Sequence, residues 1–112
     1  QRGAIRFEPP LPAGHRTALS RLAMGRYEKL VLRFDAPFWD DVDLIQVARP
    51  DGRPFSGWFN LHRVLGEPVL AALNGGNAAR ALDGRSTKER AAEGMAVLRT
   101  LYGKDVTAPQ PR

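Results

Sequence analysis

The residues able to do chemistry are few. Lys29 lies inside the run Tyr27-Glu28-Lys29-Leu30-Val31-Leu32-Arg33-Phe34, which has the alternation of a β-strand, and lysine is a mild misfit in the middle of one. An amine there either lays its methylene stem on the sheet and reaches water, or stands in a cavity hydrogen-bonded to water or a cofactor. Trp58 and Phe59 are adjacent, so on a strand they face opposite sides. One belongs to the core; the other meets a helix, a partner domain or a pocket, or both are packed in a sheet covered on its two faces. Asp40, Asp41 and Asp43 form a carboxylate cluster with no partner group beside it in sequence, which reads as a solvated turn. Gly75-Gly76-Asn77-Ala78 precedes a helix and could offer amides to an anion, although a turn and a cap explain the same residues.

Other chemistries lack their residues. The 112 residues contain no cysteine, which removes disulfides, thiolate metal sites and cysteine nucleophiles. His15 and His62 stand far apart without ligand spacing, so no metal site is expected. No glycine-rich dinucleotide fingerprint, P-loop or nucleophile elbow occurs. A formal net charge of +5 raises nucleic-acid binding as an alternative. The positive charge is nearly all scattered arginine, and Trp58 and Phe59 lack the flanking basic cluster of a stacking platform. No nucleic acid is therefore expected as a partner. No apolar run approaches eighteen residues and no signal-peptide pattern opens the chain; no membrane partner and a cytoplasmic location are the expectations. The ends, Gln1-Arg2-Gly3 and Pro109-Gln110-Pro111-Arg112, look cut from something longer.

Several elements must hold these residues in place. Ala4 to Glu8 alternates before Pro9-Pro10 and reads as a short strand or extended arm. Gly14 to Met24 turns helical, with Leu19, Leu22 and Ala23 on one face and Gly25 beyond its end. Strands are expected at Tyr27–Phe34, Leu44–Ala48, Ser56–Arg63 and Val69–Leu73, the last two as a hairpin. Asp35-Ala36-Pro37 stops the first, Phe38-Trp39 gives a bulky anchor, and Arg49-Pro50-Asp51-Gly52 is turn chemistry. Asn77 can cap a short helix over 78–82 that Gly84 closes. Ser86-Thr87-Lys88-Glu89 has the spacing of a capping box and opens a helix to about Tyr102, with Ala91, Met95, Leu98 and Tyr102 as its apolar stripe. The order predicts an α+β fold: a mixed or antiparallel sheet of about four strands with three flanking helices.

These pieces, in this order, resemble the flavin-containing amine oxidases, the family of monoamine oxidases, polyamine oxidases and lysine-specific histone demethylases. Ile5-Arg6-Phe7-Glu8-Pro9-Pro10-Leu11-Pro12 resembles the family's I-x-F-x-P-P-L-P segment. Ala18 to Gly25 resembles the helix that ends in a glycine turn, and Lys29 to Phe34 the K-V-x-L-x-F strand. Pro37-Phe38-Trp39 is similar to the x-F-W that follows. Phe59-Asn60-Leu61 is similar to W/F-N-L, Pro68 to Gly75 to P-x-L-x-A-L-x-x-G, and Pro109-Gln110-Pro111 to the closing P-x-P. The resemblance covers the whole chain. Its strength lies in seven ordered matches, of which the spacing from Pro12 to Lys29 is the most specific.

The resemblance implies a two-domain fold, with an FAD-binding Rossmann domain outside this stretch and residues 1–112 forming part of the substrate-binding domain. It implies oxidation of an amine C–N bond by hydride transfer to FAD, with O2 reoxidising the flavin to give H2O2. Lys29 falls where the family's strand lysine holds a water beside flavin N5, so it is the expected catalytic and cofactor-contacting residue. Phe59 falls where demethylase-like relatives carry a pocket tryptophan, so it is the expected substrate-binding residue; phenylalanine there puts an identical role in doubt. The expected partners are a small amine, O2 and the FAD domain. The isolated stretch is expected not to hold FAD or turn over amines, and to self-associate through exposed edges and apolar surface. A non-catalytic binding domain of the same fold, or a flavoprotein relative acting on something other than amines, remains the alternative.

Overall fold

In a computed structural model of the chain, residues 5–49, 52–107 and 109 are described. The sheet has four strands, β1 (Tyr27–Arg33), β2 (Leu44–Gln46), β3 (Gly57–Asn60) and β4 (Val69–Gly75), in the spatial order β1-β4-β3-β2. Every pairing is antiparallel. The α+β expectation holds, and of the two sheet types expected the antiparallel one forms. Four helical segments accompany it: α1 (Ala13–Ser20), α2 (His62–Leu65), α3 (Gly76–Arg80) and α4 (Thr87–Tyr102).

Period-two alternation sorts the side chains. Leu30, Leu32, Ile45, Trp58, Leu70 and Ala72 point to one face and are buried there with Phe34, Phe55, Leu82, Met95 and Leu98. α4 covers this face. Its start is the expected capping box: Glu89 N–H donates to Ser86 Oγ at 3.3 Å, and Ser86 N–H donates to Glu89 Oε2 at 2.7 Å. The Ser86 hydroxyl also donates to Glu89 Oε2 at 2.7 Å, and this bond first and the one from Ser86 N–H second hold the Glu89 carboxyl below the usual carboxylate range. Met95 and Leu98 of the expected stripe are buried, and Ala91 and Tyr102 pack against the cluster. The helix seats closely because position 94 is glycine. A Cβ there would come within 2.6 Å of Leu30 Cδ2 and 3.0 Å of Trp58 Cη2. Arg90 adds a 3.1 Å ion pair from α4 to Glu28 on β1.

Phe34, Phe38, Trp39 and Tyr102 form an edge-to-face aromatic cluster with centroid separations of 4.9 to 5.7 Å, so the expected Phe38-Trp39 anchor closes one end of the core. At the other end Phe55 is fully buried in the left-handed region, φ 66°. Such a backbone costs about 1–3 kcal/mol and persists only when its surroundings hold it. Here Phe55 N–H donates to Asn74 Oδ1 at 2.7 Å, and Phe55 C=O accepts from Trp58 Nε1 at 3.1 Å.

Several boundaries differ from expectation. Residues 5–8 are exposed and irregular, not a strand, because no described segment offers them a pairing partner and Pro9-Pro10 lack N–H donors; Ala4 lies outside the described residues. α1 stops at Ser20, short of the expected Met24, and Leu19, Leu22 and Ala23 are exposed. The third strand ends at Asn60 instead of Arg63. Asn60 Oδ1 accepts from His62 N–H at 3.1 Å, the chain turns into α2, and Gly66 ends that turn at φ 70°. β2 is shorter than expected, and β4 extends to Gly75. α3 begins at Gly76 with no side-chain cap; Asn77 instead accepts from Arg80 at 2.8 Å. Pro50 and Asp51 of the expected turn, and Gln110 and Pro111 of the closing motif, lie outside the described residues.

Candidate functional site

The second face of the sheet is uncovered by any described helix. The parity that sends Glu28 and Leu30 towards α4 sends Tyr27, Lys29, Val31 and Arg33 the other way. Lys29 pairs with Leu73 of β4. One row along, Val31 pairs with Ala71, Ala71 with Phe59, and Phe59 with Leu44, a line of side chains crossing all four strands. Val31, Phe59 and Leu44 are 48%, 41% and 39% exposed, whereas Ala71 between them is 4% exposed. Trp58, the neighbour of Phe59, is fully buried on the core side. Among the described residues, then, the sheet is covered on the Trp58 side only.

The two sequence-expected site residues thus share one open face. They sit on β1 and β3, either side of β4 and two residues out of step along it, about 12 Å apart for strands spaced about 4.8 Å with a rise of about 3.4 Å per residue. The Lys29 ammonium has no hydrogen bond or ion pair among the described residues. Arg33, the other cation of this face, pairs with Glu67 at 3.3 Å. No strand position on this face carries a carboxylate. The face can offer a free ammonium at one point and an apolar bed beside it.

The remaining candidates separate from this site. Asp41 and Asp43 do acquire a partner: both pair with Arg63, at 3.1 and 3.0 Å, in a largely exposed turn. Asp40 accepts from the Tyr102 hydroxyl at 3.1 Å. The Gly75-Gly76 segment serves as the turn into a five-residue helix. Among the described residues no group of His, Asp or Glu is arranged to hold a metal. A groove of about 400 Å³ between α4 and the segment after β2 is lined by Val47, Arg49, Arg53, Glu93 and Thr100, and includes neither Lys29 nor Phe59.

Val31, Ala71, Leu73 and Leu44 join the site although sequence reasoning did not single them out. Alternation puts Val31 beside Lys29, but Ala71 and Leu73 need the β1–β4 register, which is set between segments some forty residues apart.

Comparison with known proteins identifies a family. The family model described as flavin containing amine oxidoreductase matches residues 1–112. The chain is 35% identical over 107 residues to probable polyamine oxidase 4 of Arabidopsis thaliana, covering 96% of this chain and 21% of that protein. It is 38% identical over 112 residues to lysine-specific histone demethylase 1 homolog 3 of the same plant, covering 96% and 7%. It is 34% identical over 124 aligned positions to histone demethylase-like protein A of Aspergillus fumigatus, covering 96% and 11%. The chain spans about a fifth or less of the length of these relatives.

Proposed function

The chain belongs to the flavin containing amine oxidoreductase family, and from that premise we propose that it supplies one wall of the active site of an FAD-dependent amine oxidase. The observation that carries the reading is the unpaired ammonium of Lys29 on the same uncovered sheet face as Phe59. The residues fit a contribution to a flavin site, not the whole of one. No glycine-rich strand-turn-helix occurs among the 112 residues, so the dinucleotide is held by other parts of the protein. FAD, when bound, accepts a hydride from the carbon bearing the amine nitrogen, and O2 restores it with release of H2O2.

The chain's own residues act around that chemistry. Lys29 projects from a strand whose other face is locked to α4, so its Cα position is fixed while its stem can extend. Its ammonium donates to a water and orients it for hydrolysis of the imine product or for proton delivery during reoxidation. Phe59, with Val31 and Leu44, forms an apolar bed for the hydrocarbon part of the amine and excludes bulk water. On this reading residues 1–112 are part of the substrate-binding domain.

The test is a visible spectrum of the full-length protein, recorded anaerobically before and after adding a panel of amines. A flavin band bleached by one amine class supports the reading. A colourless protein, or a band no amine bleaches, overturns it in favour of a binding role or a non-amine flavoprotein. Once an amine is found, Lys29→Met should slow reoxidation or product release by about 10²-fold or more, the range of a positioned proton-transfer group. Unchanged turnover would remove Lys29 from the chemistry.

A further inference from the structure

We infer that Asn74 is a positioning residue of the open face: from the core side it ties the start of β3 to β4, and so fixes where Phe59 stands relative to Lys29. The inference rests on the oxidase reading above and concerns the same face. Asn74 lies on β4 opposite Glu28, one residue beyond Leu73, the partner of Lys29. It is 2% exposed, and its Oδ1 accepts from Phe55 N–H at 2.7 Å. The ladder between β3 and β4 pairs Trp58 with Ala72, Phe59 with Ala71 and Asn60 with Leu70. Carried two residues further, that register brings Ser56 opposite Asn74. There the chain turns away: Ser56 C=O accepts from Val47 N–H at 2.8 Å, and Phe55 is left-handed at φ 66°. The Asn74 side chain therefore takes over where backbone pairing with β4 stops, and holds the two strands together at that end.

Two features set this contact apart from ordinary core packing. A phenylalanine is held in a backbone region that L side chains rarely adopt, and such an outlier persists only where its surroundings fix it. Asn74 Nδ2, also buried, finds no acceptor among the described residues. A leucine would fill similar space without leaving a buried donor over, so what the position requires is the acceptor oxygen. From Phe55 the restraint continues into β3. Phe55 C=O accepts from Trp58 Nε1–H at 3.1 Å, and the Trp58 ring lies against Gly94 of α4, whose added Cβ would come within 3.0 Å of it. Trp58 is thus fixed by β4 through Phe55 and by α4 through direct contact. Neighbours on a strand point to opposite faces, so a fixed Trp58 fixes the direction of Phe59. On β1 the same arrangement holds, because Glu28, which precedes Lys29, is tied to α4 by Arg90 at 3.1 Å. Each of the two open-face residues is thereby placed by its neighbour on the core side.

The experiment uses the full-length protein with benzylamine, n-hexylamine and spermidine as probes. Asn74→Leu removes the acceptor and nearly keeps the volume. Amide hydrogen exchange should quicken in residues 55–60 and stay unchanged in α4. For the probe that bleaches the flavin, KM should rise by about 10-fold with kcat within about 3-fold, as for residues coupled through one hydrogen-bond network whose loss weakens binding and spares the chemistry. A fold weakened everywhere would instead lower the active fraction and leave KM alone. Added to Phe59→Ser, Asn74→Leu should raise KM by less than about 2-fold further, because the residue that it positions is already gone. If Asn74→Leu does not fold, Trp58→Phe, which cuts the other bond to Phe55 and keeps a ring in the core, is held to the same criteria. An unchanged KM, or effects of the substitution and of Phe59→Ser that multiply in full, would overturn this inference alone. No bleaching by any probe would overturn the oxidase reading and the inference together.

Discussion

At the scale of single residues, the site is defined by which neighbours are paired and which are not. Glu28 and Lys29 are adjacent in sequence, yet the first is tied to Arg90 across the core side and the second is left unpaired on the open side. That contrast follows from strand parity and was legible in the alternation from Tyr27 to Phe34. What was not legible is the company Lys29 keeps, because Leu73 and Ala71 reach it only through long-range pairing. A residue away from the site makes a sharper test of the structure. Tyr102 has its ionisation pushed up, first by burial and then by its hydrogen bond to the Asp40 carboxylate. A raised value in the folded state means that the fold holds the phenolic proton more tightly than the unfolded chain does. The resulting stability is intact below about pH 10, the ordinary tyrosine value, and is lost as pH rises through the folded value. Tyr102→Phe should cost about 1 kcal/mol at pH 7 through the lost hydrogen bond, and should lose less stability than the unsubstituted chain between pH 9 and 11. Urea midpoints of the two proteins across that range measure the difference; parallel curves would mean that Tyr102 ionises as freely in the fold as out of it.

At the scale of elements, the contrast is between those whose signals are local and those whose signals are not. Ser86 and Glu89 announce the start of α4, and the spacing of Met95 and Leu98 announces its buried face. β3 was overestimated because Leu61, His62 and Val64 continue an apolar-polar texture, whereas the Asn60 side chain and the left-handed Gly66 turn the chain into α2. The apolar face of Leu19, Leu22 and Ala23 is exposed, because whether such a face finds cover is a matter of tertiary supply that no local pattern contains. Gly94 lies between these cases. In a helix interior glycine costs about 1 kcal/mol relative to alanine, so its presence in α4 needs a reason, and the reason is the close approach to Leu30 and Trp58. Replacing it sets two effects against each other. Gly94→Ala gains about 1 kcal/mol of helix propensity and incurs about 1–3 kcal/mol of overpacking. Leu30 Cδ2 could shift, but the Trp58 ring is held through its Nε1–H to Phe55 C=O, so overpacking should win by about 1 kcal/mol. Gly94→Val, larger and β-branched, should lose more. Denaturant unfolding of both variants checks the order; a stabilised Gly94→Ala would show that α4 has room to lift off the sheet.

At the scale of the whole molecule, the chain is elongated, 61 × 28 × 28 Å, with a radius of gyration of 19.0 Å, against about 13 Å for a compact domain of similar length. Residues 5–27 are exposed apart from the half-buried Leu11, so an arm that buries almost nothing accounts for the excess length. Two further surfaces call for cover. The open sheet face shows Tyr27, Val31, Leu44 and Phe59, and the outer strands β1 and β2 leave one edge each unpaired. β1, at seven residues, is the longer template for strand addition. Relatives several times longer have ample chain to cover these surfaces, whereas the described residues leave them open. The 112-residue chain, produced by itself, should therefore be colourless, and light scattering should find species larger than a monomer at high protein concentration. Two routes to association are distinguishable. If β1 edges pair, Val31→Pro, which removes an N–H and disrupts the strand, should shift the distribution towards monomer but at a cost in folding that circular dichroism would register. If open faces stack, Phe59→Ser should do so while leaving the fold intact, because Phe59 is 41% exposed and its loss opens no cavity in the core. Apolar area favours the second route, since the face offers several large side chains and the edge offers hydrogen-bonding groups that water can satisfy. A clean monomer would show that the arm folds back over the open face in solution, or that this face is not sticky when exposed.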